Sequence, residues 1–364
     1  MTNIKTKLLI ACLVVVTTLL YAEPPVDYYD AALGKSGYEL KTALHDIIKG
    51  HNRLSYGSGN DSGNNVWWSY RTTDVNPDGT VRDIYTTDCG YNFGYIAPGP
   101  PDGYQCGNQR AYECGCYSRE HTFPKSWWGG GISSTDTQYT DIHHLIPADQ
   151  YVNSIGHSNN ALGVVSSPAY ISVIGYKRGA NTYPGSPGTT CFEPIDQYKG
   201  YFARIYFYMA TRYENKIADW TDSEGAEMIN GTSNQVFTDW AKNMLVEWHN
   251  NFPVQDWERA RNDSVQKIQK NRNPFIDCPE LVNKIWGNDS TSFGVSIEKE
   301  IISEEVLNAK LYPTAEVISI AGVRLRQVSF HEIDATLKQL PQGIYIIRYA
   351  HKDGNSFVSL KIAN

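Results

Sequence analysis

The sequence predicts an α+β protein, a large domain of mixed helical and irregular structure followed by a small β-rich one. Three observations carry this. Residues 23–50 hold an apolar stripe at Leu40, Leu44, Ile47 and Ile48 with helical spacing, stopped by Lys49-Gly50. Helical patterns return at Tyr201–Tyr213, Val236–Trp248 and Asp256–Gln269, the first apolar on most faces and therefore a buried helix. Residues 295–364 then contain no Cys and no Trp. They alternate in short β-rich runs (Val317–Ile320, Gly343–Ile347) between turn signals at Ala321-Gly322, Leu340–Gly343 and Asp353-Gly354, the pattern of a small β-sandwich.

The intervening segments are less regular. Residues 55–118 are rich in Gly, Asn, Asp, Pro and Tyr, which predicts turns and short strands, with Val66–Tyr70 and Val81–Tyr85 as the strand candidates. Residues 172–192 read as a glycine- and proline-rich loop. The boundaries are 1–22, 23–288 and 289–364, the large domain closing near Trp286-Gly287.

The first 22 residues read as an export signal. Lys5 and Lys7 precede an apolar run, Leu8–Leu20, and Tyr21-Ala22 offers a cleavage point before Glu23-Pro24-Pro25. The run is too short for a membrane span, and Cys12 lies too early in it to be a lipoprotein site. In an exported chain, the six remaining cysteines (Cys89, Cys106, Cys114, Cys116, Cys191, Cys278) favour disulfides, with the pairing open. Cys114-x-Cys116 could begin a zinc site, but no second pair follows at ligand spacing.

The formal net charge is −7, and residues 23–288 carry 22 basic against 30 acidic side chains. That balance excludes a surface that grips polyanions by bulk electrostatics. A nucleic-acid enzyme of this composition must concentrate positive charge locally, in side chains and bound cations.

The dense polar cluster runs from Tyr117 to Asn160. It contains Arg119-Glu120-His121-Thr122-Phe123-Pro124, then Asp141-Ile142-His143-His144-Leu145, and then Asn153. Phosphodiester hydrolysis needs a base to activate water, a hard cation to neutralise the phosphoryl group, and stabilisation of the leaving oxygen. Adjacent strand residues point to opposite faces, so a bend before Pro124 is expected to bring Glu120 and His121 into one site. Asp141–Ile146 reads as a returning strand, and a turn at Pro147–Asp149 opens a helix carrying Asn153. Strand, strand and helix would then join Glu120 and Asn153 as oxygen ligands, suited to Mg²⁺ rather than zinc, with Mn²⁺ or Ca²⁺ as alternatives. Taken singly, Glu120 reads as a surface carboxylate, His121 as a structural histidine and Asn153 as a helix residue. Their joint occurrence carries the functional reading.

This arrangement resembles the endonuclease I family of secreted or periplasmic bacterial nucleases, in the ββα-metal (His-Me finger) group. Beyond the cluster, the resemblance extends to Phe192-Glu193-Pro194, Lys199-Gly200, Ala203-Arg204, Tyr208-Met209, Glu258-Arg259, Arg261-Asn262 and Gln269–Asp277, covering most of residues 25–287. It implies that His121 is the general base, that Glu120 and Asn153 hold Mg²⁺, and that the products carry 5′-phosphates. It implies a DNA substrate, with RNA as a further one, and little sequence preference. Two departures stand out. No arginine lies between His121 and Asp141, which leaves Arg119, His144 and Arg272 as substrate-binding candidates, with Arg178 beside them. His157 stands where relatives often have arginine. The last seventy residues resemble the sorting domain of the type IX secretion system through Ile318–Gly322, Leu340–Tyr345 and Lys361-Ile362, although Thr314-Ala315, not Asn-Pro, follows Tyr312-Pro313. That implies an extracellular or surface monomer exported by the type IX machinery. The alternatives are a carbohydrate- or surface-binding protein that stacks ligands on its Tyr and Trp, and a zinc phosphodiesterase built on His143 and His144.

Overall fold

The computed structural model describes residues 24–25, 27–57, 63–87, 89–95, 101–129, 133–220, 226–294, 311–320, 322–350, 352 and 356–363. The expected export signal and the turn at Asp353-Gly354 lie outside them. Leu40, Leu44 and Ile48 sit on α1 (Gly37–Ile48) and are buried, as the stripe predicts. Val66–Tyr70 is not a strand but the start of α2 (Val66–Thr73). The cap decides this. Asn65 Oδ1 accepts from the Trp68 amide at 2.9 Å, which satisfies an orphan helix donor and outweighs the weak β preference of Val and Trp. Val81–Tyr85 makes only one bridge, Val75 to Val81, and otherwise runs as turns. There the Tyr85 amide donates to Asp83 Oδ1 at 2.8 Å, a local bond that competes with a strand ladder.

Strands β1 (Tyr104–Gln105), β2 (Cys116–His121) and β3 (Leu145–Asp149) form the first sheet, with β1 parallel and β3 antiparallel to β2. Disulfides Cys89–Cys114 and Cys106–Cys116 tie the preceding loops to the start of β2. Among the described residues these two bridges join four of the six cysteines for which disulfides are expected. Cys114 and Cys116, bridged to different partners, do not open a zinc site.

A second sheet holds β4 (Ala161–Leu162), β5 (Val165–Ile171), β6 (Lys177–Asn181) and β7 (Thr190–Glu193) in the order β4-β7-β6-β5. The 172–192 stretch is thus loop at 172–176 and 182–189, as expected, with β6 between them and the start of β7 after them. One of its glycines is required by close packing: a Cβ at Gly179 would meet the Val165 side chain at 2.7 Å and Ser167 O at 2.9 Å.

Helix α3 (Asp196–Arg212) is buried nearly throughout, Phe202, Tyr206, Phe207 and Met209 among its core residues. Around it lie α4 (Asp239–Asn251), α5 (Asp256–Gln269), α6 (Pro274–Asp277) and α7 (Leu281–Ile285). The bounds of α5 are those its helical pattern predicts, and a capping box, Gln255 with Glu258, holds its start. Buried ion pairs bind these elements together: Arg204–Glu258 at 2.7 Å and Arg261–Asp74 at 2.8 Å. Among the described residues no helix is long and apolar enough to cross a membrane.

The C-terminal residues build one antiparallel sheet, β8 (Thr314–Ser319), β9 (Arg324–Ser329), β10 (Gly343–Ala350) and β11 (Ser356–Ala363), in the order β11-β10-β8-β9. Alternate β10 residues Tyr345, Ile347 and Tyr349 turn inward. They pack with Ile333 and Leu337 of α8 (Ile333–Leu337) in a separate apolar cluster. The sandwich expectation is corrected accordingly. Among the described residues a short helix, not a second sheet, shares the cluster with these inward-facing residues.

Acid stability should report the buried histidines. His249 donates Nε2–H to Pro279 O at 2.9 Å, and burial, with Arg204 adding to it, pushes its pKa down to about 4. The unfolded chain binds this proton near the ordinary histidine value of 6.5, so protonation favours unfolding. Stability is therefore complete above pH 6.5 and falls as the pH drops toward 4, by at most about 3 kcal/mol for this residue. Thermal midpoints measured across that window should decline, and less steeply in His249→Gln.

Candidate active site

The β2–β3 ladder is unbroken, pairing Tyr117 with Asp149, Arg119 with Pro147, Glu120 with Ile146 and His121 with Leu145. Glu120 and His121 therefore leave on opposite faces, and the bend expected before Pro124 does not occur at this pair. The strand ends just beyond it, where Thr122 donates its amide and hydroxyl to His144 O at 3.1 and 2.9 Å. The returning strand also starts later than expected. Asp141–His144 is a turn, held by the His143 amide on Asp141 Oδ1 at 3.0 Å, and Pro147–Asp149 belongs to the ladder.

The helix that follows begins at Gln150, with Asp149 as its cap. Asp149 Oδ1 accepts from Val152 N at 2.8 Å, and Oδ2 accepts from Cys114 N at 2.8 Å and from the Tyr91 hydroxyl. One carboxylate thus joins the disulfide-bearing loop to the helix start. Val152–His157 is wound as a π-helix, a form often found at functional sites. It closes at Ser158, whose left-handed backbone (φ 48°) lets its amide donate to Asn153 O at 2.9 Å. Arg178 on β6 donates to Ile155 O at 2.5 Å.

This winding sets Asn153 against the Ser118/Glu120 face of β2, where its Nδ2 donates to Ser118 Oγ at 3.4 Å. Glu120 is held through one oxygen. His157 Nδ1 donates to Oε1 at 2.5 Å and the Tyr85 hydroxyl does so at 3.2 Å. Among the described residues, Glu120 Oε2 and Asn153 Oδ1 take no hydrogen bond, leaving two hard oxygen donors on one face, a donor set that fits Mg²⁺, Mn²⁺ or Ca²⁺.

His121 occupies the other face with Tyr117 and Arg119. Its Nε2 lies 2.9 Å from Tyr139 O. A carbonyl only accepts, so Nε2 carries the proton and Nδ1 keeps the lone pair. Aromatic rings enclose it: Tyr139 at 5.1 Å, Trp128 at 5.4 Å and Tyr56 stacked at 6.3 Å. The residue is 7% exposed, and burial, with His144 and the cations Lys125 and Arg119 adding to it, holds its pKa well below 6.5. The imidazole is neutral and able to accept a proton from water at Nδ1.

The remaining candidates separate by what they touch. Arg272 is 2% exposed and enclosed by Asp277 (two bonds at 2.7 Å), Asp263 (2.8 Å) and Gln266 (2.7 Å), so it is corrected from a phosphate contact to a structural anchor. His144 is fully buried beside His121, ring centroids 5.4 Å apart, with Nε2 donating to Gln138 O at 2.7 Å. Fully buried, it packs against His121 and presents no surface to solvent. His143 packs on Tyr208 with Nε2 3.4 Å from Asn271 O. Among the described residues no three His, Cys, Asp or Glu side chains converge as metal ligands, and the two histidines are engaged elsewhere. Arg119 remains near His121, lying over the Tyr56 ring and bonded to the Tyr56 and Gly57 carbonyls.

Sequence reasoning missed Tyr85, Ser118, Tyr139 and Lys125, the last lying over the Tyr139 ring at 5.6 Å. Only Ser118 carried a usable signal, two residues before Glu120 and thus on the same strand face.

Comparison with known proteins identifies the family of the chain. Residues 36–280 match the family described as endonuclease I. The chain is 34% identical over 267 residues to an extracellular ribonuclease of Bacillus subtilis (strain 168), covering 71% of this chain and 78% of that protein. It is 33% identical over 274 residues to an extracellular ribonuclease of Bacillus amyloliquefaciens, with the same coverage. A shorter match, 30% identical over 84 residues, covers 23% of this chain and 26% of endonuclease-1 of Buchnera aphidicola subsp. Baizongia pistaciae (strain Bp).

Proposed function

The chain belongs to the endonuclease I family and is a nuclease, and from this premise we propose a secreted, Mg²⁺-dependent endonuclease whose general base is His121. The observation that carries the proposal is the 2.9 Å contact of His121 Nε2 with Tyr139 O, which sets the tautomer. With Nε2–H given to Tyr139 O, Nδ1 is the only ring atom able to take a proton from the attacking water. The Tyr139 carbonyl also stabilises the imidazolium that results. His157 and Tyr85 orient Glu120 from one oxygen, and Ser118 orients the Asn153 amide, which would present Oε2 and Oδ1 to a cation. Such a cation, when bound, supplies charge neutralisation at the phosphoryl and leaving 3′-oxygens. In this reading the β2–β3 hairpin and the following helix are the ββα-metal finger, and the products carry 5′-phosphates.

RNA stands beside DNA as substrate, because the two Bacillus relatives are named extracellular ribonucleases. The same names support secretion. The C-terminal sheet, with its own apolar cluster, is read as the type IX export address. Deleting residues 295–364 should then hold the protein inside the cell envelope, scored by immunoblot of medium and cell fractions; undiminished release would contradict it. The surface-binding alternative gives way to the family's enzymatic character.

The test is cleavage of plasmid DNA and of a labelled RNA strand with Mg²⁺ or with EDTA. Cutting should require the metal and leave 5′-phosphate ends. Cleavage that persists in EDTA, or 3′-phosphate products, would reject the mechanism. Glu120→Ala and Asn153→Ala should each lose metal binding by calorimetry along with cleavage, by about 10²-fold or more in rate.

A further inference from the structure

The His121 face of β2 continues outward as an alternation of arginines and aromatic rings. Tyr117, Arg119 and His121 share that face. Tyr56 stacks with the His121 ring at an interplanar angle of 9°. Arg119 lies over Tyr56, its guanidinium carbon 3.2 Å from the ring centroid, and over Trp67 at 4.4 Å. Trp67 also meets Tyr117 edge-on at 5.8 Å. From Trp67, α2 carries the alternation further. Arg71, one turn along, lies over Trp68 at 5.0 Å and over Phe93 at 5.5 Å. Trp68 is 46% exposed and Arg71 is exposed, so the outer end of this ladder is open to solvent.

The arginines of this ladder differ in their partners from three that bury their charge against carboxylates. Arg204, Arg261 and Arg272 are neutralised by buried carboxylates. Among the described residues, Arg71 and Arg119 form no ion pair and are held by ring faces and carbonyls. In a chain of net charge −7, that leaves two uncompensated cations in a row leading to His121. Ring and guanidinium faces stack on any base, provided the base is not already covered by its neighbours in a duplex. Arginine supplies the matching charge for the phosphates between bases.

We propose that this ladder is a subsite for single-stranded nucleic acid, in which an unpaired base stacks on Trp68, Arg71 contacts the adjoining phosphate, and the strand runs toward His121. It rests on the nuclease reading for its substrate class and adds the strand state that the enzyme selects. Trp68 lies away from the general base, so its contribution is to binding and path rather than to proton transfer.

The experiment is equilibrium binding in EDTA, where no hydrolysis occurs, followed by fluorescence anisotropy of a labelled oligouridylate and a labelled DNA duplex of equal length. Trp68→Ala should weaken single-strand binding about tenfold, the usual worth of one base–aromatic stack, while Trp68→Phe keeps most of it. Arg71→Ala should weaken it and flatten its salt dependence. Duplex binding should change less than twofold in Trp68→Ala. A wild type that does not bind the single strand, an unchanged single-strand affinity in Trp68→Ala, or an equal loss on duplex and single strand would overturn the proposal. Equal thermal midpoints for wild type and variants exclude a folding artefact at this exposed position. A wild type that binds through Trp68 yet never cuts would reject the nuclease mechanism alone.

Discussion

His121→Ala should lower single-turnover cleavage by about three orders of magnitude, the range expected for loss of a positioned general base. The variant should still fold and still bind metal. Among the described residues the ring makes no hydrogen bond to Glu120 or Asn153, and its polar partner is the Tyr139 carbonyl. That carbonyl loses a donor, which costs about 1–3 kcal/mol if no water replaces it, an amount a thermal melt will register without abolishing the fold. His144→Ala is the control. His144 is fully buried against His121 and bonded to Gln138 O. Its loss should appear first as reduced stability and a looser base, with a smaller rate effect than His121→Ala. A zinc site on His143 and His144 requires the opposite order, and steady metal content in His144→Ala would exclude it.

Arg272→Ala should destabilise the fold by about 3–5 kcal/mol, since it leaves buried carboxylates without their cation. Asp263 and Asp277 both face the guanidinium, and Asp277 also accepts from Tyr29 at 2.6 Å and from Asn262 at 2.9 Å. The removed side chain therefore strands a network that links α5, α6 and the N-terminal turn. Urea titration should show the lower midpoint with an unchanged slope. Were Arg272 a phosphate contact, the same substitution would raise KM and leave the midpoint in place. The two outcomes do not overlap.

Much of this architecture was legible in the sequence, and the limits have physical causes. Long periodic segments spoke clearly: α1 from its stripe, α3 from its apolar girth, α5 from its helical pattern. Short elements did not. Val66–Tyr70 has strand-forming side chains, yet one cap from Asn65 makes it helical. The 172–192 stretch has loop composition, yet one of its glycines, Gly179, serves close strand packing. In the site, Glu120, His121 and Asn153 could be named from spacing, but their faces could not. The sequence rule that neighbours on a strand diverge held against the expected bend, which sorted Glu120 with Asn153 and His121 with Tyr139. Tyr85 and His157 reach Glu120 across 35 and 37 residues of chain, and no local pattern announces such a contact. Arg272 illustrates the converse error, since a basic residue in a polar motif looks the same whether it awaits a phosphate or neutralises two buried aspartates.

The most direct test of the division between base and metal site pairs single-turnover cleavage of a labelled RNA strand in Mg²⁺ with calorimetric metal binding, in wild type, His121→Ala and Glu120→Ala. His121→Ala should bind the metal as wild type does and fail to cleave, and Glu120→Ala should do neither. Cleavage at the wild-type rate by His121→Ala, or undiminished metal binding by Glu120→Ala, would contradict the account.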